Sequence, residues 1–305
     1  MTAERSEVTL RVADSDAGSR FDKLVASLAS VSRAAAATLV VDGEATLNSR
    51  TAKGNTRVEV GDRVTVRIPV SVGLMPVPMP IEIAYRDNEV LVVNKAPGRV
   101  VHPGAGHDND TLVNGLVYQY EELSGLGEER RWGLVHRLDK DTSGLLMVAR
   151  TAEAFDGLRN QLNAREIERV YTALVHGSLQ TSTGTVDAPI VRDPHQPTKM
   201  AVGQGGRFAR THFQAIERWR DHDLLRVTLE TGRTHQIRVH LQSIGHPLVG
   251  DPVYGDRLTS IADPGRVWLH ATNLRFRHPI TDREIRVAAS LPRDLVESLE
   301  ALRTS

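Results

Sequence analysis

Hydrophobic and polar positions alternate over short distances along most of the chain, the period-two pattern of half-buried strands, and helical spacing is confined to a few windows. Residues 81–85, the turn Arg86-Asp87-Asn88-Glu89 and residues 90–93 read as a hairpin. Residues 145–149, 170–175, 211–218, 224–231, 267–277 and 284–289 read as further strands. Residues 111–123, 152–163, 234–244 and 292–302 carry helical spacing. In the third of these Ile237, Leu241 and Ile244 form one stripe that Gly245 ends; in the last, Leu295, Leu299 and Leu302 point inward. Strands outnumber helices and do not alternate strictly with them, which predicts an α+β fold with a mostly antiparallel, mixed sheet.

The N-terminal quarter has its own pattern. After a tail or strand over residues 1–17, residues 20–29 and 32–40 read as short helices, the second with Ser32 as N-cap. Asp42-Gly43 supplies a turn, and Val58, Val60, Val64, Val66 and Ile68 alternate about Gly61-Asp62 as a hairpin would. Residues 73–80 (Gly-Leu-Met-Pro-Val-Pro-Met-Pro) favour extended backbone and read as a linker. The expected organisation is therefore a small α/β module over 18–72, a linker over 73–80 and a large domain over 81–305.

No apolar run approaches the roughly 18 residues of a membrane span, and the first twenty residues hold Glu4, Glu7, Asp14 and Asp16 with no apolar leader core. The chain has no cysteine, which excludes disulfides, zinc-thiolate sites and thiol nucleophiles. A cytoplasmic enzyme, monomeric by default, is the expectation. Net charge is zero, but residues 190–249 hold nine Lys/Arg against five Asp/Glu while residues 80–131 hold five against nine. A neutral protein with one basic face can still bind RNA, and a merely solvated charged face fits the counts equally.

The candidate chemistry sits in three segments. His136-Arg137-Leu138-Asp139-Lys140-Asp141-Thr142-Ser143-Gly144 crowds carboxylates, cations, an imidazole and hydroxyls between two apolar runs, where a connector would need only turn formers. Arg169-Val170-Tyr171 places a tyrosine in a strand. Thr231-Gly232-Arg233-Thr234-His235-Gln236-Ile237-Arg238 leads a glycine turn into a helix whose N-terminal half carries cations, suited to anions such as RNA phosphates. Arg238 lies beside the buried stripe and needs a carboxylate; Asp139 is available, and such pairing holds an Asp ionised in one rotamer, as a nucleophile requires. By residue type alone the pair reads more readily as an ion pair tying two elements together. A kinase catalytic loop fails on residue order, and His235 and His240, five apart, share no helix face for a metal. Most of the twelve histidines are expected at the surface or facing RNA.

The segment 136–144 resembles the signature of the RluA-type pseudouridine synthases. Other blocks resemble that family in its order: Val92-Val-Asn-Lys95 with Val100-Val-His-Pro-Gly-Ala-Gly106, Arg169-Val-Tyr-Thr-Ala173, and residues 229–241 followed by Gly245-His-Pro-Leu-Val-Gly-Asp251. Two positions depart: Lys95-Ala-Pro-Gly98 where Lys-Pro-x-Gly is usual, and Arg169 where Lys is usual. Gly18-Ser-Arg-Phe-Asp22, Ser32-Arg33, Asp42-Gly43 and Gly61-Asp62 resemble an S4 RNA-binding domain, and the whole arrangement is most similar to the large-subunit ribosomal RNA synthases of the D type.

That resemblance implies isomerisation of specific uridines in RNA, by Asp139 attacking a flipped-out nucleoside at C1′, at C6 or through a glycal. It implies Arg238 as the partner of Asp139, with Arg233 the alternative, and Tyr171 stacked on uracil and helping remove the C5 proton. Arg137 would fill the space vacated by the flipped base, with Arg233 and His235 as further RNA contacts. Arg20, Lys23 and Arg33 of the S4-like module would grip RNA backbone. No cofactor or metal is required. The expected partner is RNA, most of all large-subunit rRNA or its assembling particle; a tRNA synthase and a non-catalytic ribosome-assembly factor are the rival readings.

Overall fold

A computed structural model describes residues 5–304 apart from 30, 32, 70–73, 105, 108, 128–130, 197–198 and 256–257. The chain forms two compact units, 1–74 and 75–305.

In the first unit, β1 (Arg5–Arg11), α1 (Phe21–Leu28), α2 (Arg33–Val41), β2 (Ala45–Leu47) and β3 (Arg63–Pro69) build a three-stranded antiparallel sheet of order β1-β3-β2. Phe21 and Val25 from α1, with Val40, Ala45, Val58, Val64 and Val66, form its core. The expected hairpin about Gly61-Asp62 is corrected: those residues turn the chain, but Val58 and Val60 lie outside any strand and β3 pairs with β1 along its full length. The expected N-cap Ser32 lies outside the described residues.

In the second unit, β4 (Glu82–Arg86), β5 (Val90–Lys95), α3 (Leu112–Gln119), β6 (Ser143–Ala149), α4 (Ala152–Ala164) and β7 (Glu168–His176) come first. They are followed by β8 (Thr183–Asp187), β9 (Ile190–Arg192), β10 (Met200–Val202), β11 (Arg210–Arg218), β12 (His222–Leu229), α5 (Gln236–Ser243), β13 (Leu269–Arg277), β14 (Glu284–Ala288) and α6 (Arg293–Arg303). Nine strands make one sheet of order β4-β5-β6-β13-β7-β12-β11-β8, with β14 also on β13; β9 and β10 form a separate ribbon. Every described pairing in the large sheet is antiparallel except β6 with β13. The α+β, mostly antiparallel expectation holds.

The hairpin β4–β5 forms because Asp87 Oδ1 accepts the N–H groups of Glu89 and Val90, closing the turn. The helix α4 packs Phe155 and Leu158 against Met147 and Phe276, while α6 packs Leu295, Leu299 and Leu302 against Trp268, whose indole donates to Ser298. The proline segment does not act as a free linker from Met75 on. Its extended backbone lies along α3: Asn114 donates to Met75 O, Gln119 donates to Met79 O, and a Cβ on Gly115 would sit 2.1 Å from Met79 Cγ. The third helix also starts later than its spacing suggests, at Gln236, and Ile244 is 38 % exposed because it follows the last turn.

Candidate active site

The loop ahead of β6 is tied down on every side, which leaves its side chains little freedom. The His136 ring is buried and its Nε2 accepts the Met147 N–H, so the proton sits on Nδ1. Burial, reinforced by Arg169, pulls its pKa down to about 3 and keeps it neutral. Lys95, 1 % exposed at the end of β5, donates to the carbonyls of Ala96, Arg99 and Lys140 at 2.9, 3.0 and 2.8 Å. Arg266 donates to Asp141 O and to Ser143 Oγ, and is itself held by Asp294. Gly144 has φ +109°, and a Cβ there would meet Ala271 O at 2.3 Å, so only glycine lets β6 lie against β13.

This frame delivers Asp139 to the start of α5. Arg238 Nη1 donates to Asp139 Oδ2 at 3.3 Å. The stronger partner of Arg238 is one that residue spacing did not reveal: Asp251, fully buried, takes Nε at 2.7 Å and Nη2 at 2.8 Å, and its Oδ1 also accepts the N–H groups of Val253 and Tyr254. Burial opposes the charge on both groups, but their mutual hydrogen bonds outweigh it, so Arg238 is raised and Asp251 lowered from their ordinary values. Asp251 orients the guanidinium, and the guanidinium orients Asp139.

His235 precedes α5 in the left-handed region, φ 56°. Tyr254 Oη accepts the Met200 N–H and shares a hydrogen bond of 2.9 Å with His235 Nδ1. His235 Nε2 lies 4.0 Å from Asp139 Oδ2. Burial lowers the His235 pKa against the pull of Asp139.

Tyr171 and Arg169 share one side of β7 and face the same cleft, of about 440 Å³, whose lining also includes Asp139, Arg137, Arg233, His235 and Arg238. Burial raises the Tyr171 phenol above its ordinary value, and its hydroxyl has no hydrogen bond among the described residues. Eight arginines line the cleft against two carboxylates, Asp139 and Glu230, so the basic-face alternative left open by the composition is the one the fold builds. Arg137 is exposed at the mouth; Arg233 donates to Phe208 O. Phe208, which sequence reasoning passed over, lies under Arg165 and Arg210 at 4.8 and 5.2 Å.

Of the residues singled out in the first unit, Arg20 and Arg33 both bond Asp22, which is 7 % exposed, and Lys23 is exposed. The histidine expectation is corrected for five of the twelve: His176, His222, His240, His270 and His278 are buried, with the rings of His240 and His270 bonding Ala188 O, Thr211 and Ser143, while His195 is exposed and the other six are half-buried. Among the described residues no three His, Asp or Glu side chains gather as a metal site, and no helix is long and apolar enough to cross a membrane.

Residues 89–243, from the β4–β5 turn to the end of α5, match the RNA pseudouridylate synthase family. A Bacillus subtilis protein named as an uncharacterized RNA pseudouridine synthase, YlyB, is 44 % identical over 98 % of this chain and 99 % of its own. The chain belongs to the RNA pseudouridine synthase family. It is an isomerase, similar also to the Xanthomonas campestris ribosomal large subunit pseudouridine synthase D, at 43 % identity over 96 % of this chain and 91 % of that one. Among solved structures, the human RNA pseudouridylate synthase domain containing 4 superposes with a TM-score of 0.58 at 26 % identity, over 73 % of this synthase and 93 % of that chain. The match spans the loop of Asp139, the strand of Tyr171 and the helix of Arg238, the three elements the cleft brings together.

Proposed function

We propose that this synthase converts uridines of large-subunit rRNA to pseudouridine, with Asp139 as the nucleophile. The observation that carries the reading is the clamp on Asp139: a carboxylate held by Arg238, itself locked by Asp251, at the floor of an arginine-lined cleft opposite Tyr171. The relative named for the large ribosomal subunit, alike over nearly its whole length, supports rRNA as the substrate class.

In the chemistry, the uridine leaves its stack for the cleft, at a cost of a few kcal/mol offset by phosphate contacts to the rim arginines. Arg137, exposed beside Asp139, takes the vacated place in the RNA. The N1–C1′ bond breaks with its electron pair passing to uracil, the ring turns, C5 bonds C1′, and the C5 proton is lost while N1 gains one. Tyr171 supplies a stacking face. Burial keeps its phenol protonated, so it removes the C5 proton only as the phenolate, a form that its raised pKa makes scarce but strongly basic. The first unit adds RNA affinity through α1 and α2, with Arg20, Lys23 and Arg33; its S4-like character, a cytoplasmic location and a monomeric state complete the proposal.

The test is tritium release from 5-³H-uridine-labelled large-subunit rRNA by wild type and Asp139→Asn. Release by wild type alone supports the reading. Release by both removes Asp139 as nucleophile; release by wild type only from labelled tRNA replaces the substrate.

A further inference from the structure

Among the described residues, Arg169 is the one arginine of the cleft that is buried without an acid. It is 6 % exposed, its Nε is sealed from solvent with no hydrogen bond among the described residues, and its Nη2 reaches only a backbone carbonyl, Glu230 O, at 3.3 Å. The Glu230 carboxylate is turned away, engaged by Arg165, Arg210 and His212. Nη1 lies against Gly232, where a Cβ would sit 2.7 Å away, so the glycine of Thr231-Gly232-Arg233 makes room for this guanidinium. An isolated buried charge is among the costliest features a fold can carry. Its cost is explained if the missing anion arrives during turnover.

The reaction supplies such an anion. Attack at C1′ expels uracil as its N1 anion, the glycal route expels the same anion after loss of a C2′ proton, and attack at C6 leaves an enolate spread to O4. In each, negative charge resides on the ring before C5–C1′ bond formation returns the electron pair. Arg169 and Tyr171 are alternate residues on one face of β7, their Cβ atoms about 7 Å apart. A ring stacked on Tyr171 therefore brings its oxygens within reach of the guanidinium.

We propose that Arg169 is a catalytic residue, the counter-cation for the uracil anion that exists between cleavage of N1–C1′ and closure of C5–C1′. The inference rests on the assignment of the Asp139 cleft as the uridine pocket. Arg169 is distinguished from a phosphate clamp by its place. A phosphate is charged before, during and after the reaction, and the exposed Arg137, Arg165 and Arg207 at the rim suit it. Arg169 lies behind them with one backbone carbonyl and, among the described residues, no carboxylate on it in the ground state, the arrangement that favours a transition state over a substrate.

The experiment compares wild type, Arg169→Gln, Arg169→Lys and Asp139→Asn in single turnover, on whichever RNA the wild type converts, with uridine or 5-fluorouridine at the target; because C5 of 5-fluorouridine bears no proton to release, the rate read for both is loss of the N-linked nucleoside from the digested RNA. Fluorine stabilises the uracil anion itself, so dependence on Arg169 must shrink. For Arg169→Gln the expected result is a rate at saturating RNA lowered about 100-fold, RNA affinity within about 3-fold, a several-fold smaller loss on 5-fluorouridine, and partial recovery in Arg169→Lys. The contrast between two substrates in one protein does not depend on the fraction folded. Weakened RNA affinity with an unchanged saturating rate overturns the proposal in favour of a phosphate clamp, and an equal loss on both substrates overturns it in favour of a structural role. An active Asp139→Asn shows instead that the pocket assignment has failed, whatever Arg169→Gln does.

Discussion

Replacing Lys95 with methionine tests how the loop of Asp139 is held. The amine is buried among three carbonyls, one of them Lys140 O, and burial pulls its pKa from 10.5 to about 7 against the opposing pull of Asp141 and Asp139. Between these two values the unfolded chain binds more protons than the folded one, so stability rises with pH across the window and is flat below it. Working the titration through, wild type gains about 2 kcal/mol between pH 7 and pH 9 from this one group. Lys95→Met has nothing to titrate. At pH 7 it loses three hydrogen bonds of about 1 kcal/mol each but also the cost of holding a depressed amine, about 4 kcal/mol, so the two proteins differ little there. Urea denaturation at pH 7, 8 and 9 should show the wild-type midpoint moving up relative to the variant by about 1 M in total. Parallel pH profiles would sink the argument, because they would mean the amine is not held in this environment. The same variant frees the Lys140 carbonyl, and a displacement of the loop by about 1 Å should cut turnover about 100-fold.

Asp251→Asn leaves Arg238 buried with an amide N–H where it needs an acceptor; a loss of about 3–5 kcal/mol in denaturation and a matching loss of tritium release are expected, and retention of both would dismiss the clamp. By contrast Arg293→Ala, at an exposed pair with Glu297, should leave the denaturation midpoint unmoved. Gly144→Ala forces a Cβ into Ala271 O at a positive φ, so the variant should fail to give folded protein at 25 °C as judged by circular dichroism. Arg207→Ala, at the rim, should weaken binding to all RNA sequences alike and lower the salt slope of log K by about 0.7–0.9, measured by titration from 50 to 200 mM salt.

The parts of the fold legible in the sequence are those whose signal is local. The β4–β5 hairpin carries its turn acid Asp87 inside the pattern, and α6 carries a three-leucine stripe that needs only Trp268 opposite it. What escaped is non-local or short. The strand β3 finds its partner in β1, more than fifty residues earlier, so reading Gly61-Asp62 as a hairpin applied a neighbour rule where the chain had doubled back. Likewise β6 pairs with β13 across about 127 residues, and no periodicity encodes that. The ribbon β9–β10 has three residues a strand, too few to show a period. At the site, residue types located the loop of Asp139 and offered it to Arg238 as an ion-pair partner, while the family resemblance was needed to add Tyr171 and to make the pair catalytic. The supporting residues Asp251, Tyr254 and Lys95 act through bonds between distant segments, and only coordinates expose those.

The same distinction explains how a chain of zero net charge carries a strongly basic cleft. Away from the cleft, arginines carry carboxylates: Arg150 has Glu122, Arg275 has Glu168 and Glu284, Arg303 has Glu217 and Arg293 has Glu297. Inside it eight arginines meet two carboxylates, and both are already engaged, Asp139 by Arg238 and Glu230 by Arg165, Arg210 and His212. The acids have been placed where they neutralise structure and withheld where a polyanion would supply the counter-charge. At physiological salt a field falls away over about 8 Å, so a strand approaching from afar meets a neutral particle and is drawn in only near the cleft. Selectivity for where the RNA binds then follows from the placement of charge, with no need for an overall positive protein to collect RNA indiscriminately.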